Sequence, residues 1–516
     1  MSETSENNKR IAKNTIYLYI RMLGLMLISL YTSRVILSTL GVEDFGIYNV
    51  VAGFVTILAF FNSSLANASQ RYLSIGLGEN DVKATSRYFR QSMSLMLCFS
   101  LVAFLLGETV GLWFVENKLV IPENRKVAAF WVYQFSLIST IISINEVSFI
   151  ANIVARERMG IYAYVAIFEA VSKLIIVYLL QCLDSFDQLI LYGFLTLVVT
   201  IMTFMLYVCY CKKHFAEVEL RLYWDSKIAK SMGKFIAANL YGCLAWSAGV
   251  QGTNVVLNMF FGPIVNAARG IAVQINGVAM RFTDNVMTAI KPQIIKSYAS
   301  NDIGYMKSLI VKSTKYMAAI AILISMPLMF ETNTIISCWL GQTPEYSISF
   351  VRLVLCEQFI SVLISPLWVA ANATGNIKRT QVYGRTFTLL SLPIAYCLLL
   401  FFPNPLVPLV VLVITNFIYW IYCIYDIKIQ IDLNLIHYFK YSILPAMLLA
   451  ASLAIICLIV NVLFHEESIL RFIATLSSVV VFGSVICYKL SDRGEKVFIK
   501  NLILRYLKHK TQNNNI

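Results

Sequence analysis

Charged side chains inside long apolar stretches are the residues of this sequence most able to do chemistry. They are Arg21, Arg34, Arg269, Arg281 and Asp284. A charge inside the hydrocarbon of a membrane is costly, so it normally persists only in a cavity or in a pair. A guanidinium group is planar, permanently charged and suited to bidentate phosphate contacts. Four arginines against one aspartate therefore predict a cationic cavity that attracts an anion.

Each of these residues also has an ordinary structural interpretation. Arg21 would lie about 9 Å inside one end of its stretch, close enough to reach the interface with its side chain. Arg34 has no acidic residue near it in sequence, and interfacial anchoring remains an alternative for it and for Arg269. Arg281 and Asp284 are three residues apart, which permits a local ion pair on one helix. The sequence leaves these alternatives open.

Uncharged polar residues extend the candidate site along a neighbouring stretch. Gln251, Asn254 and Asn258 fall at i, i+3 and i+7, which places them on one helical face. Amide groups suit the hydroxyl groups of sugars, although hydrogen bonding between helices would use the same side chains. We include Asn254 and Asn258 among the candidate binding residues.

Among the remaining intramembrane charges, one pair has a structural interpretation and the others have no assigned role. Glu169 and Lys173 stand at i and i+4 in the favourable order, which predicts an ion pair. Other charged residues have no oppositely charged residue at i,i+3 or i,i+4: Glu146, Glu331, Arg352 and Glu357. A carboxylate among them could bind a proton or sodium, and the sequence does not rank them.

The composition identifies an all-α integral membrane protein. Of 516 residues, 58% are hydrophobic and only 14% are charged, with a mean hydropathy of +0.71. The net charge of +14 favours basic residues kept in cytoplasmic loops over nucleic-acid binding. The 11 cysteines show no disulfide framework, and the single pair Cys209 and Cys211 is too little for zinc. We expect no metal, no cofactor and no catalytic residue.

Runs of roughly 20 mostly apolar residues predict about fourteen membrane spans. The predicted spans are about 15–38, 46–68, 91–114, 128–154, 159–183, 188–211, 235–261, 266–290, 316–340, 348–374, 381–402, 405–427, 441–464 and 470–490. With the N-terminus inside, the outside loops hold only four basic residues: Lys118, Arg125, Lys126 and Arg471. This asymmetry places both termini in the cytoplasm.

An internal repeat divides the chain into two lobes. At a constant offset of 221 residues, several punctuating residues match: Lys13 with Lys234, Thr32 with Thr253, Gly41 with Gly262, and Asn80-Asp81 with Asn301-Asp302. Six spans per repeat return the chain to its starting side, so the two lobes are parallel and a midplane site is expected between them. The predicted parts are 1–14 (cytoplasmic), 15–211 (first lobe), 212–234 (linker), 235–427 (second lobe), 441–490 (two added helices) and 491–516 (basic cytoplasmic tail).

Two short motifs resemble those of a known family. The segment 40–48, Leu-Gly-Val-Glu-Asp-Phe-Gly-Ile-Tyr, is similar to the L-G-x-x-x-[YF]-G-x-Y signature of polysaccharide flippases. The segment 373–378, Ala-Thr-Gly-Asn-Ile-Lys, resembles the exit from the tenth helix in the same proteins. With fourteen spans and the repeat, the chain resembles the Wzx-like O-antigen and exopolysaccharide flippases of the multidrug/oligosaccharidyl-lipid/polysaccharide (MOP) superfamily.

The resemblance implies a MATE-like fold and a lipid-linked substrate. Such a protein would move a polyprenyl-diphosphate-linked oligosaccharide from the cytoplasmic to the periplasmic leaflet of the bacterial inner membrane, without covalent chemistry. The repeat unit would serve O-antigen, lipopolysaccharide, capsule or exopolysaccharide synthesis. The implied partners are the lipid bilayer, a polysaccharide polymerase and other assembly proteins. The first, second, seventh and eighth helices would line the cavity.

Two other functions remain as alternatives. A cation-coupled multidrug antiporter of the same superfamily would be expected to present carboxylates and aromatic residues in place of arginines. A polytopic lipid-sugar glycosyltransferase would use acidic metal ligands in an outside loop, where Glu43 and Asp44 lie. That loop is only about seven residues long, and the flippase signature accounts for it, so the enzyme is the weaker alternative.

Overall fold

The computed structural model describes residues 3–56, 60–117, 121–182, 187–340, 343–491 and 496. Over these residues the chain is helical and contains no β-strand, which confirms the all-α prediction. Helices are the expected result of long apolar runs, because backbone groups in a membrane must be satisfied within the protein.

The helices form a first lobe, a second lobe and a C-terminal addition. The first lobe contains α1 (Glu3–Thr56), α2 (Phe60–Gly78), α3 (Val82–Leu106), α4 (Leu112–Asn117), α5 (Lys126–Ala155), α6 (Met159–Cys182) and α7 (Gln188–His214). The second lobe contains α8 (Ser226–Ala299), α9 (Ile303–Phe330), α10 (Thr332–Leu340), α11 (Ser347–Thr374), α12 (Arg385–Phe401) and α13 (Val407–Ile431). The addition contains α14 (Leu435–Tyr438), α15 (Leu444–Leu463) and α16 (Ile469–Leu490).

Eleven helices in the described parts of the chain are long and apolar enough to cross a membrane. They correspond to eleven of the fourteen predicted spans. The predicted second, seventh and eighth spans are not among them, and these lie in α1, α2 and α8. All three contain residues that lie outside the described part of the chain or whose side chains do, so these three spans stay predictions.

Helix α8 folds back on itself and therefore holds two of the predicted crossings. The Arg71 guanidinium lies 5.2 Å from the Phe235 ring, and Gly78 packs directly on the backbone of Lys296. Arg71 and Gly78 are about 10 Å apart along α2, whereas Phe235 and Lys296 would be about 90 Å apart on a straight helix. Both ends of α8 thus lie beside the same end of α2.

The same turn occurs at equivalent positions of the two repeats, before α3 and before α9. Asn80 and Asn301 both adopt positive φ, at 54° and 60°. Asp81 then accepts the backbone N–H of Ala84 to cap α3, and Asp302 accepts that of Tyr305 to cap α9. The backbone hydrogen bonds of the two turns match at the offset of 221: residue 79 to 75 and 300 to 296, 80 to 77 and 301 to 298, 81 to 76 and 302 to 297.

After both repeated turns the helix begins before the predicted membrane span. Helix α3 begins at residue 82 and α9 at residue 303, whereas the predicted spans begin at 91 and 316. The reason is that lysine and arginine are good helix formers, so both helices continue beyond the apolar stretch.

A buried ion pair holds the C-terminal addition on the second lobe. Arg471 at the start of α16 donates to both carboxylate oxygens of Glu331, at 3.0 to 3.1 Å. Thr475 and Thr334 donate to the same carboxylate. Glu331 is fully buried and Arg471 is only 6% exposed. Replacing either partner of such a pair would destabilise the protein, because the other charge would be left buried without a counter-ion.

Candidate functional site

Polar contacts join the two lobes on the side predicted to be cytoplasmic. From the first lobe, Arg71 in α2 donates to the carbonyl oxygens of Asn372 and Ala373 at the end of α11. Conversely, Gln293 and Lys296 in α8 of the second lobe donate to Glu157, at 2.6 and 2.5 Å. We call the residues that join the lobes here the contact layer. Its other members include Tyr72 with Ser231, Asn67 with Lys291, and Tyr19 with Phe282.

The two main contacts occupy equivalent places in the repeat. Glu157 lies in the turn between α5 and α6, and Gly375 lies in the turn after α11. Both adopt positive φ, 59° at Glu157 and 81° at Gly375. Glycine takes this conformation readily, whereas it is strained for glutamate. The strained glutamate keeps its carboxylate at Lys296, and the glycine leaves room for the Arg71 guanidinium.

Burial shows that the Arg71 contact is an integral part of the contact layer. Arg71 is 9% exposed, and its guanidinium also lies 5.1 Å from the Tyr72 ring. Burial lowers the pKa of Arg71 from its ordinary value, and the guanidinium remains charged at neutral pH. A charged group so enclosed requires its carbonyl acceptors.

We call the region between the lobes beyond the contact layer the cleft. Over the parts of the chain that the structure describes, every hydrogen bond, ion pair and ring contact between the lobes belongs to the predicted cytoplasmic half. The apolar clusters of the opposite half each lie within a single lobe. The described contacts therefore join the lobes at the predicted cytoplasmic side, whereas side chains of the opposite half, such as those of residues 49–61 and 262–264, lie outside the described residues.

Arg281 and Asp284 lie at the floor of this cleft. Asn285 donates to the Met22 sulfur at 3.3 Å, and the next turn of α8 carries Arg281, which is exposed. Asp284 is also exposed. No ion pair joins Arg281 to Asp284, nor to any other acidic residue that the structure describes. The local pair that their spacing allows is not formed, and both side chains are exposed.

The other arm of α8 contributes amide groups to the same cleft. Cys243 contacts Ser64 of α2 at 3.9 Å, and Asn254 falls three turns further along the same face of α8. Asn254 is half-buried and donates to Gln251 at 3.0 Å. The side chains of Arg34 and Asn258 lie outside the described residues, so their predicted roles stay predictions.

Arg21 points into the first lobe and not into the cleft. Its guanidinium lies 4.3 Å from the Tyr162 ring, and its Nε has no hydrogen-bond partner among the described residues. It lines a cavity of about 360 Å³ together with Glu146 and many hydroxyl side chains from α5 and α7. Glu169 and Lys173 line the same cavity and form the predicted ion pair at 2.6 Å, which is confirmed.

Arg269 is buried inside the second lobe at 3% exposure. Its Nε and Nη1 have no hydrogen-bond partner in the described parts of the chain, and its charge interacts with that of Glu357. Glu357 accepts hydrogen bonds from Asn416 at 2.9 Å and Ser361 at 3.0 Å. The predicted cationic group is thus divided: Arg281 and Asp284 are exposed one turn beyond the contact layer, whereas Arg21 and Arg269 lie within separate lobes.

The sequence reasoning missed the contact between Glu157 and Lys296. The two residues are 139 positions apart, so no local spacing relates them. One signal was present: Glu157 stands between Arg156 and Arg158, an acidic residue in a loop that is otherwise basic. A lone carboxylate in such a loop indicates a specific partner elsewhere.

This architecture is that of a multi-pass membrane protein with the MATE transporter fold. Among solved structures, an outward-facing multidrug resistance MATE family transporter of the MOP superfamily superposes with a TM-score of 0.70 at 12% identity. A point mutant of a MATE protein gives 0.71 at 12% identity. A MOP superfamily transporter from Pyrococcus furiosus, described as having a binding pocket of reverse polarity, gives 0.69 at 13% identity.

Each of these three alignments covers 83% of this chain and 96% of the other. The uncovered part, about one sixth of the chain, is close in size to the segment from α14 onward. At this level of identity the likeness defines the fold and leaves the substrate open. No protein-family model and no curated protein matches the sequence.

Proposed function

We propose that the protein is a transporter that moves a polyprenyl-diphosphate-linked oligosaccharide from the cytoplasmic to the periplasmic leaflet by alternating access. One observation carries this proposal. Arg281 is exposed at the cleft floor, one turn beyond the contact layer, without an acidic partner among the described residues. An exposed guanidinium without an ion-pair partner favours a phosphate-bearing substrate.

The arrangement of the lobes supports alternating access. Contacts at the predicted cytoplasmic side and a cleft at the other correspond to one end state of a rocking transporter. In the opposite state the contact layer would open, and the lipid headgroup would reach Arg281 from the cytoplasmic leaflet. The amide groups of Gln251 and Asn254 would then contact sugar hydroxyls, while the polyprenyl chain stays in the bilayer.

The acidic loop weighed for a glycosyltransferase has a structural role. The Asp44 carboxylate accepts two hydrogen bonds from Arg125 at the start of α5, and Arg125 also pairs with Asp187 at 2.6 Å. An aspartate held this way is committed to an ion pair between α1 and α5. This contact disfavours the enzyme alternative, since a metal-binding role would require that carboxylate.

The test is transbilayer movement of a labelled polyprenyl-diphosphate oligosaccharide in proteoliposomes. We expect the Arg281→Ala variant to slow movement by about tenfold to a hundredfold, the usual effect of losing a charge-assisted hydrogen bond. Arg281→Lys should retain part of the rate. Lys213→Ala is the matched control, because Lys213 is an exposed cation at the end of α7 and away from the cleft. If the Arg281→Ala variant moves the lipid at the wild-type rate, Arg281 is not part of the substrate site.

A cation-coupled multidrug antiporter is the second candidate, and the first-lobe cavity favours it. Glu146 lines that cavity and accepts no hydrogen bond from the described residues. A partner-free carboxylate among hydroxyl groups is suited to binding a proton or a cation. The P. furiosus neighbour indicates that one fold serves pockets of opposite polarity. Cation-dependent drug movement, with no movement of any lipid-linked glycan tested, would favour the antiporter.

A further inference from the structure

Two adjoining cavities open on the predicted cytoplasmic side, beside the contact layer. One, of about 580 Å³, lies between the start of α1 and the turn from α5 to α6. The other, of about 620 Å³, lies between that turn and the turn from α8 to α9. Both are lined by Arg10, Arg156, Glu157 and Arg158, so they form one continuous region. We call this region the cytoplasmic basin.

The cytoplasmic basin has an excess of positive charge. Its basic lining residues are Arg10, Lys13, Arg156, Arg158 and Lys296, and its acidic ones are Glu157 and Asp302. Both carboxylates are already engaged, one with Lys296 and the other as the cap of α9. Arg10, Lys13 and Arg158 have no acidic partner among the residues that the structure describes. Among the residues that the structure describes, three basic side chains therefore line the basin without an acidic partner.

Arg156 differs from these three because a buried carboxylate holds it. Its Nε and Nη2 donate to the two oxygens of Glu217, both at 2.6 Å. The Glu217 side chain is fully buried. This fork fixes the turn that carries Arg158, so the wall of the basin is a positioned structure and not a mobile surface loop.

A buried amide provides an independent indication of a ligand. Asn14 lines the basin, is only 5% exposed, and its Nδ2 has no hydrogen-bond partner in the described part of the chain. Buried donors are rarely left unsatisfied, because the lost hydrogen bonds to water are not replaced. Because Asn14 lies in the wall of the cavity, an occupant that carries an acceptor could satisfy this amide. An anionic oxygen meets that requirement and the charge excess together.

We infer that the cytoplasmic basin binds a phosphate-bearing headgroup, with Arg10, Arg158 and Asn14 as its donors. The apolar part of the lining, Tyr17, Met159 and Ile161, would lie against the first carbons of an attached chain. This inference extends the proposed function, since a diphosphate-linked lipid is the first candidate occupant. A bulk anionic phospholipid shares the same chemistry and is the other source.

Occupancy of the basin would act on the contact layer. Glu157 and Lys296 line the basin and also join the two lobes. A phosphate oxygen near Lys296 competes with the Glu157 carboxylate for its ammonium group. Headgroup binding would thereby loosen the closed side and couple loading of the lipid to opening towards the cytoplasm.

The test uses the purified full-length chain in a neutral detergent and tritiated geranylgeranyl diphosphate as the probe. The Arg10→Gln/Arg158→Gln double variant removes two exposed cations that have no described partner. The Lys212→Gln/Lys213→Gln variant removes two exposed cations at the end of α7, outside the basin, and is the matched control. Arg158→Lys, which keeps the charge, guards against a loss of folding. Competitors are inorganic pyrophosphate, geranylgeraniol and phosphatidylglycerol.

We expect the double variant to bind the probe about tenfold or more weakly, as for two basic residues facing an anionic headgroup. The control should change affinity by less than about twofold, since distant exposed charges are screened by salt. Pyrophosphate should compete and geranylgeraniol should not. Competition by phosphatidylglycerol at equal concentration would identify bulk anionic lipid as the occupant and retain the site. Equal probe affinity in the double variant and the wild type would overturn the inference.

The binding result is separable from the proposed function. Loss of probe binding in the double variant, together with a wild type that moves no lipid-linked oligosaccharide, would retain the basin and reject the flippase. Unchanged probe binding in the double variant, together with a wild type that moves the lipid, would reject the basin and retain the flippase.

Discussion

The two main contacts between the lobes occupy equivalent turns of the repeat and use different chemistry. On one side, Arg71 donates to backbone carbonyls at the end of α11 and packs beside Gly375. On the other side, Lys296 pairs with the carboxylate of Glu157 at 2.5 Å. The first contact uses neutral backbone acceptors, which do not titrate and cannot move away from the helix end. The second uses a side-chain ion pair that a competing ion can replace.

This difference indicates a division of roles within the contact layer. Carbonyl groups at a helix C-terminus form a permanent acceptor for a cation, and the helix dipole strengthens it. The ion pair of Glu157 is reachable from the cytoplasmic basin and is built on a strained backbone. We therefore expect the Arg71 contact to support stability, and the Glu157 contact to set how readily the lobes separate.

The largest expected effect is that of Arg71→Ala. The variant leaves carbonyl acceptors unpaired and removes a ring contact with Phe235, so unfolding should become easier by about 2–4 kcal/mol. Denaturant unfolding in detergent measures this. Arg90→Ala is the matched control, because Arg90 also donates to a carbonyl and stacks on Tyr223 but does not join the lobes. If both variants lose the same free energy of unfolding, the contact of Arg71 between the lobes contributes no extra stability.

A smaller loss is expected for Gly375→Ala. The backbone at φ 81° is unfavourable for alanine, and the added Cβ would overlap the Arg71 guanidinium. Together these should cost about 1–3 kcal/mol of stability in the same unfolding measurement. Gly233→Ala is the control, since a Cβ there meets no atom within 4 Å. A Gly375 variant as stable as its control would show that this turn tolerates a side chain.

The largest effect on lobe separation is expected for Glu157→Gln. Cys243 lies between the lobes near Ser63 and Ser64, so its alkylation reports opening of the contact layer. Loss of the ion pair should speed alkylation of Cys243 by roughly tenfold, equivalent to about 1.4 kcal/mol.

Peptide mass spectrometry gives the Cys243 alkylation rate without removing the other cysteines. Glu219→Gln is the control, because it breaks an exposed pair with Arg90 that lies apart from the contact layer. If the two variants are alkylated at the same rate, Glu157 does not restrain the lobes, and the division of roles between the two contacts is wrong.

Local sequence patterns predicted those features of this protein that depend on neighbouring residues. Apolar runs predicted the helices, since a membrane helix needs only length and hydropathy. The pairing of Glu169 with Lys173 followed from their i,i+4 spacing, and the repeated Asn-Asp turns followed from a shared offset. The proposed orientation rests on loop charges alone and stays a prediction.

Only the tertiary structure decided which distant residues meet. Glu331 has no partner near it in sequence, yet it pairs with Arg471, 140 positions away. Of the arginines predicted to share one cavity, Arg21 lines a cavity within the first lobe, Arg269 is buried in the second lobe, and Arg281 is exposed. A sequence specifies the spacing of residues along each helix, but which face meets which neighbour depends on packing between helices far apart in the chain.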